Sequence, residues 1–200
     1  MNKNILVLLV NCHGKNTPGK RSPDGAFREY KWGREINKLI TEKLYSLGIK
    51  TIIVNPEEEE VKLSVQAQRV NKLYNEYKNQ YDEIILLSPH VNASSGNTWS
   101  NATGWVCYVY NKASKKSRKL ATLLCEQAYD KYHFQGNRWI PQSRYFEANF
   151  AILRETVCPA VLTENFFQTN KKDVEFLSSE EGKNALADIH VDAVLQYIKE

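Results

Sequence analysis

The chain has 200 residues and a mass of 23.1 kDa, and its composition is 42% hydrophobic, 25% charged and 11% aromatic. This is enough apolar material for one sizeable core, and it excludes the disordered, collagen-like and coiled-coil classes. A net charge of +4 suits an anionic polymer without calling for nucleic acid, so we expect no nucleic-acid partner.

The longest uninterrupted apolar run, residues 5–10, is too short to cross a bilayer or to form a secretory signal. We therefore expect no membrane insertion, no export signal and synthesis in the cytoplasm. The four cysteines lie far apart and lack the CxxC spacing of a zinc ribbon, so we expect reduced thiols. They are Cys12, Cys107, Cys125 and Cys158.

Strand and helix patterns alternate along the first half of the chain. The apolar run 4–10 predicts a buried strand, and the spacing of apolar residues from Trp32 to Leu47 predicts an amphipathic helix. The following segments predict a strand, a helix and a strand, at 49–54, 61–81 and 83–88. This alternation predicts a parallel sheet.

The second half begins with a polar loop at 89–103 and a predicted strand at 104–110. Residues 114–132 predict a helix, and the long aromatic connection 133–150 is a candidate wall or lid of a substrate groove. A short buried strand at 160–163 and a closing helix at 180–198 complete the pattern. We predict a single α/β domain with a twisted, mostly parallel central sheet flanked by helices.

Three polar residues follow predicted strands, where open α/β sheets place their functional crevice: His13, His90 and Glu164. Glu29 lies near the centre of the apolar stripe of the first helix, so its side chain is predicted to point inward. Two histidines and a carboxylate suit a zinc ion that keeps one open position. Each residue alone also suits a structural role, such as a hydrogen-bonded strand end, a helix start or an ion pair, and the residue pattern leaves both interpretations open.

Four motifs, in this order, resemble the zinc-dependent N-acetylmuramoyl-L-alanine amidases of the type 3 family. They are NILVLLVNCHGK with His13, REYKWGREIN with Glu29, SPHVNA with His90 and Asn92, and PAVLTENFFQTN with Glu164. LSVQAQRVNKLYN, with Arg69, and FAILRET, with Arg154, resemble two further family segments. The chain departs from the family pattern at Lys15, Pro89 and Asn165–Phe166, which bears on loop geometry and groove shape rather than on the metal site.

The resemblance implies a phosphorylase/hydrolase-like fold and hydrolysis of the amide between N-acetylmuramic acid and L-alanine of peptidoglycan. It implies one Zn²⁺ held by His13, Glu29 and His90, with Glu164 as general base and acid. Asn92, Arg69 and Arg154 are weaker candidates for orienting the substrate or the metal ligands.

We expect residues 1–200 to form one catalytic amidase domain with no separate cell-wall-binding domain, acting as a monomer. The absence of a signal suggests an enzyme that reaches the cell wall after release, such as a bacteriophage endolysin. Two alternatives stay open: a zinc peptidase that cuts the stem peptide, and a non-catalytic relative that only binds peptidoglycan.

Other features have a simpler interpretation. The acidic run 57–60 predicts a solvated helix start, and His133 and His190 are expected to be structural or exposed. The basic stretch 112–119 is most simply a solvated helix face. Four aromatic residues could line a sugar or peptide groove, but they more often pack a core. They are Trp99, Trp105, Trp139 and Tyr145.

Overall fold

Six strands form one central sheet in the computed structural model, which describes residues 3–96 and 98–199. The strands are β1 (Ile5–Leu9), β2 (Lys50–Ile53), β3 (Glu83–Asn92), β4 (Trp105–Tyr110), β5 (Phe146–Ala148) and β6 (Ala160–Phe167). Their order across the sheet is β2-β1-β3-β6-β4-β5. The first four in that order run parallel, β4 runs antiparallel to β6, and β5 runs parallel to β4. The prediction of a mostly parallel sheet is confirmed.

Helices lie on both faces of this sheet. They are α1 (Glu29–Ser46), α2 (Leu63–Tyr77), α3 (Lys115–Glu126), α4 (Ala151–Arg154), α5 (Lys171–Ser178) and α6 (Glu180–Lys199). A π-helical turn, Gln127–Lys131, extends α3. The result is the single α/β domain that the alternating pattern predicts.

The side chains of β1 show why its sequence is apolar at every position. Ile5, Val7 and Leu9 pack into one core, which includes residues of α1, α3 and α6. Leu6 and Leu8 pack into a second core on the opposite face, with residues of α2 and α4. Since both faces are covered, the strand has no need of polar alternation.

Two strands are longer than predicted, and this places polar residues inside the sheet. β3 continues through Pro89 and His90 to Asn92, and β6 continues through Glu164 to Phe167. Pro89 is tolerated because the pairing of β3 with β1 ends at Leu87, which leaves its nitrogen without a required partner on that side. β3 and β6 pair with each other along this extension. The carboxyl edge of the sheet therefore carries the polar side chains of His90 and Glu164.

Several short elements have no counterpart among the predictions. β5, α4 and α5 span three, four and eight residues, too few for a periodic pattern to be distinctive. The second helix also starts later than predicted, at Leu63, so the acidic run 57–60 lies outside it.

The four cysteines are buried and unpaired, as expected of reduced thiols. Within residues 3–96 and 98–199, no helix is both long enough and apolar enough to cross a membrane.

Candidate active site

His13 follows β1 at the carboxyl edge of the sheet, in the turn that leads away from the strand. Its backbone adopts a φ of 37°, a conformation that is uncommon for residues other than glycine. Two contacts hold the turn: Arg34 Nη1 donates to the carbonyl of His13 at 3.0 Å, and the Gly14 amide donates to Glu60 Oε2 at 2.5 Å. These contacts stabilise a backbone that His13 would not adopt alone.

Glu29 is the first residue of α1, and its side chain is only 1% exposed. Its backbone amide donates to the carbonyl of Lys20 at 3.1 Å, which fixes the start of the helix. Its Oε1 atom accepts the Val91 amide at 3.0 Å. The helix therefore presents a buried carboxylate to β3, in the inward direction that its position on the apolar stripe predicts.

His90 and Glu164 are register partners on the parallel strands β3 and β6. The side chain of Asn165 joins the two strands, because its Nδ2 donates to the His90 carbonyl at 2.9 Å. The Oδ1 atom of Asn165 accepts the indole N–H of the fully buried Trp105 at 2.8 Å. A departure from the family pattern at Asn165 thus has a structural function, which is to fix the strand that carries His90.

The side chains of His13, Glu29 and His90 converge at one point. Glu29 Oε1 lies 3.2 Å from His90 Nδ1 and 3.8 Å from His13 Nε2, and the centroids of the two imidazole rings are 5.2 Å apart. Ligand atoms around a tetrahedral Zn²⁺ lie about 3.3 Å from one another. The Glu29 carboxylate contacts both imidazoles, and two imidazoles with one carboxylate are a donor type that zinc binds.

Unsatisfied oxygens at the same point support this interpretation. Among the described residues, Glu29 Oε2 and Glu164 Oε2 have no hydrogen-bond partner although both are buried. A buried carboxylate oxygen without a partner is costly, and a cation or a substrate group would offset that cost.

Cys12 offers a competing donor, since atoms of Cys12, Glu29 and His90 all lie within 4.8 Å of one another. Its thiol, however, donates to the backbone carbonyl of Glu29 at 3.3 Å. Burial, reinforced by the charge of Glu29, raises the pKa of the Cys12 thiol well above its ordinary value. Cys12 and His13 both lie close enough to Glu29 to be considered as the third donor, and metal analysis of variants distinguishes them.

The environment changes the proton affinity of each of these groups. Burial lowers the pKa of His13 to about 4, although Glu29 opposes this shift. Burial would raise the pKa of Glu29 and lower that of His90, but their close contact reverses both directions, so Glu29 is lowered and His90 is raised. Burial raises the pKa of Glu164 to about 7, with His90 opposing the shift and Glu29 adding to it.

His13, His90 and Glu164 line a cavity of about 310 Å³, whereas Glu29 lies buried behind its wall. Its lining includes His13, Lys20, Glu60, Gln66, Phe150 and Glu164. Polar and apolar groups therefore face the same space as the candidate metal ligands, as in sites that bind and orient a ligand.

The weaker candidates lie elsewhere. Arg69 forms an ion pair with Glu57, with Nη2 and Oε1 2.6 Å apart, and Arg154 contacts Asn149 and Glu155. Asn92 ends β3, and its Oδ1 accepts the adjacent Ala93 amide at 2.8 Å. Their suggested roles toward substrate stay predictions.

Glu60 and Lys20 line the cavity, but the sequence analysis did not predict either of them as a site residue. Glu60 Oε2 lies 3.9 Å from His13 Nδ1, and the same oxygen accepts hydrogen bonds from Gly14 and Thr17. The acidic run that contains Glu60 predicted a solvated helix start, and this is wrong for Glu60 because the chain brings it back against the His13 turn. The position of Glu60 at the site depends on its contacts with a loop more than 40 residues earlier, and the sequence gives no signal of those contacts.

The four aromatic residues of the predicted groove separate into two groups. Trp105 and Tyr145 are buried in the core, whereas Trp139 is 75% exposed and Trp99 is half-buried beneath the ammonium of Lys171. His190 is fully buried, as a structural histidine would be, and His133 is exposed.

The sheet and the converging donors define an α/β domain with a candidate metal centre at the carboxyl edge of its parallel strands. Residues 7–196 match the sequence model of the N-acetylmuramoyl-L-alanine amidase family, and the chain belongs to that family.

Two curated relatives share part of their length with this chain. The endolysin of Bacillus phage SPP1 is 27% identical over 154 residues, which cover 75% of this chain and 54% of the relative. The N-acetylmuramoyl-L-alanine amidase CwlM of Bacillus licheniformis is 30% identical over 118 residues, or 58% of this chain and 41% of the relative. The chain thus spans about half the length of the curated relatives it matches.

Solved structures match over nearly the whole chain. The N-acetylmuramoyl-L-alanine amidase from Clostridium difficile 630 superposes with a TM-score of 0.82 at 25% identity, covering 98% of this chain and 97% of that structure. The N-acetylmuramoyl-L-alanine amidase AmiC2 of Nostoc punctiforme gives a TM-score of 0.79 at 20% identity and covers both chains completely. The second likeness establishes the fold alone.

Proposed function

We propose that this chain is a zinc-dependent amidase that cleaves the bond between N-acetylmuramic acid and L-alanine in peptidoglycan. Membership of the amidase family supports the reaction class. The observation that carries the proposal is that buried Glu29 contacts both His13 and His90, and that these two histidines line one cavity with Glu164.

One zinc ion would be held by His13 Nε2, the Glu29 carboxylate and His90 Nδ1. A bound zinc ion supplies a Lewis acid for the scissile carbonyl and makes a water molecule easier to deprotonate at neutral pH. The Val91 amide keeps Glu29 Oε1 directed at the two histidines, and Asn165 holds the backbone of His90. Such supporting hydrogen bonds fix the orientation of metal ligands.

Glu164 is proposed to be the general base and acid. Its unpaired Oε2 atom would accept a proton from the attacking water and then deliver that proton to the nitrogen of the leaving L-alanine. Pairing in register with His90 keeps the carboxylate beside the ligands without making it one of them.

The biological role follows from the same proposal. The similarity to the endolysin of a Bacillus phage supports a lytic enzyme that meets peptidoglycan after release from the cell that made it. A monomer is sufficient for this chemistry because one chain supplies all four side chains of the proposed site.

Mass spectrometry of purified peptidoglycan tests the proposal. The zinc-loaded protein should release peptides that begin with L-alanine and leave glycan strands without peptide, and a chelator should abolish this release until zinc is restored. Cuts within the stem peptide would instead identify a zinc peptidase. An intact polymer that retains bound protein would identify a binding relative, and either result would refute the amidase proposal.

A further inference from the structure

Four aromatic side chains form a continuous row that leads out of the cavity. Ring centroids are 5.2 Å apart for Phe150 and Tyr108, 5.5 Å for Tyr108 and Phe146, and 6.0 Å for Phe146 and Trp139. We name this row, Phe150–Tyr108–Phe146–Trp139, the aromatic strip. Phe150 lines the cavity at one end of the strip, and Trp139 is 75% exposed at the other.

The sheet explains why these rings face outward. Tyr108 and Phe146 are register partners on β4 and β5, and both are only partly buried. Cys107 and Val109, which point to the opposite face of β4, are fully buried. The strip therefore lies on a partly open face of the sheet edge, next to the site.

The two ends of the strip, Phe150 and Trp139, are exposed, and the two rings between them are partly buried. Isolated exposed apolar residues are common on protein surfaces, but contiguous apolar patches mark ligand grooves and interfaces. The strip is contiguous from ring to ring and continuous with the cavity through Phe150. Its occupant must therefore be a molecule that also reaches Glu164.

We propose that the aromatic strip binds the glycan strand of the substrate by stacking against its pyranose rings, an inference that rests on the proposed function. A pyranose ring has an apolar C–H face and polar edges, and its C–H groups are attracted to the negative face of an aromatic ring. The scissile amide is joined to a sugar ring through one lactyl group. A cavity that holds the amide must hold a sugar within a few bonds, and the strip begins at Phe150 in that same cavity.

Polar residues of the cavity suit the other half of the substrate. Lys20 and Gln66 line the same cavity as Phe150. A stem peptide carries amides and carboxylates that such groups can bind. The chemistry of these residues thus assigns the sugar chain to the strip and the peptide to the polar part of the cavity.

The test compares Trp139→Ala with Tyr45→Ala. Tyr45 is 80% exposed near the end of α1, so its variant removes an exposed aromatic ring without touching the cavity. Trp139→Phe is a third variant that retains a ring. Two measurements are made on each protein: binding of peptide-free N-acetylglucosamine oligomers by calorimetry, and rates of hydrolysis of polymeric peptidoglycan and of N-acetylmuramoyl-L-alanyl-D-isoglutamine.

We expect Trp139→Ala to weaken oligomer binding about three- to tenfold, with Trp139→Phe retaining part of it and Tyr45→Ala equal to the wild type. We also expect a greater loss of kcat/KM on the polymer than on the small substrate. Equal behaviour of the two alanine variants would overturn the inference, as would competition by stem peptides but not by oligomers. A dimer that Trp139→Ala dissociates would also overturn it, because the strip would then be a protein interface. If the wild type binds the oligomers but hydrolyses neither substrate, the inference about the strip stands and the proposed amidase function is refuted.

Discussion

Thr163 Oγ1 lies 2.9 Å from His190 Nε2, a contact that joins β6 to α6 inside the core. His190 Nδ1 lies 2.7 Å from the carbonyl of Leu186, which can only accept, so Nδ1 carries the hydrogen and Nε2 accepts from Thr163. The Nδ2 atom of Asn165 donates to Thr163 Oγ1 at 3.1 Å and to the His90 carbonyl at 2.9 Å. A neutral histidine in the core is therefore linked by hydrogen bonds to the strand that carries a proposed metal ligand.

This arrangement predicts acid sensitivity. Burial lowers the pKa of His190 to about 4, below the ordinary 6.5, so the unfolded chain binds a proton that the folded chain does not. Stability should be full above pH 6.5 and should decrease as the pH falls from 6.5 toward 4. The loss over that window is about 3 kcal/mol.

Urea unfolding of the metal-free protein between pH 4 and pH 7 measures this loss. His190→Gln removes the titrating group, so its free energy of unfolding should vary less with pH than that of the wild type. His13 titrates in both proteins and cancels in the difference. Parallel pH profiles for the two proteins would show that His190 is not the cause.

Replacement of Glu164 by glutamine separates proton transfer from metal binding. Glu164→Gln keeps the size of the side chain but removes the base, and we expect the rate to fall about 100- to 10,000-fold with zinc content unchanged. Glu175→Gln, on the exposed surface of α5, is the matched control for loss of one carboxylate. Activity within a few fold of the wild type would remove Glu164 from the mechanism.

The choice between His13 and Cys12 as third ligand can be decided by metal analysis. His13→Ala should purify with little zinc, because two donors bind the ion weakly. Cys12→Ala should retain zinc and lose about 1 to 2 kcal/mol of stability, the cost of a small cavity against Gly33. The reverse pattern, with zinc retained in His13→Ala and lost in Cys12→Ala, would assign the thiol as the ligand.

Gly14 tests how closely the His13 turn packs on the 57–60 segment. A Cβ atom at Gly14 would lie 1.9 Å from the Glu60 backbone nitrogen, so Gly14→Ala must displace one of the two segments. We expect a loss of about 1 to 3 kcal/mol and weaker zinc binding, since the displaced turn carries His13. Lys15→Ala, which removes only surface ion pairs, should change neither quantity appreciably. Identical zinc affinities for Gly14→Ala and Lys15→Ala would mean that the turn does not position His13.

The sequence predicted the strands and helices whose residues repeat over many positions, such as β1 and α1. It also predicted that Glu29 faces inward, because helical geometry fixes that direction without knowledge of the rest of the fold. It also predicted β4 as a strand, but not that β4 runs antiparallel to β6, nor the edge strand β5, because strand pairing depends on contacts distant in sequence. Glu60 could not be assigned for the same reason: its neighbours Gly14 and Thr17 lie more than 40 residues away.

The connection between α3 and α4 contributes Phe146, Asn149, Phe150 and Trp139 to the rim, yet it contains none of the four side chains at the proposed centre. On either side of the short strand β5 it consists of loops, and loops accept insertions and replacements more readily than the strands that carry the centre. Variation of the loops that flank β5 would then change the rim of the cavity while the four side chains of the proposed centre stayed in place.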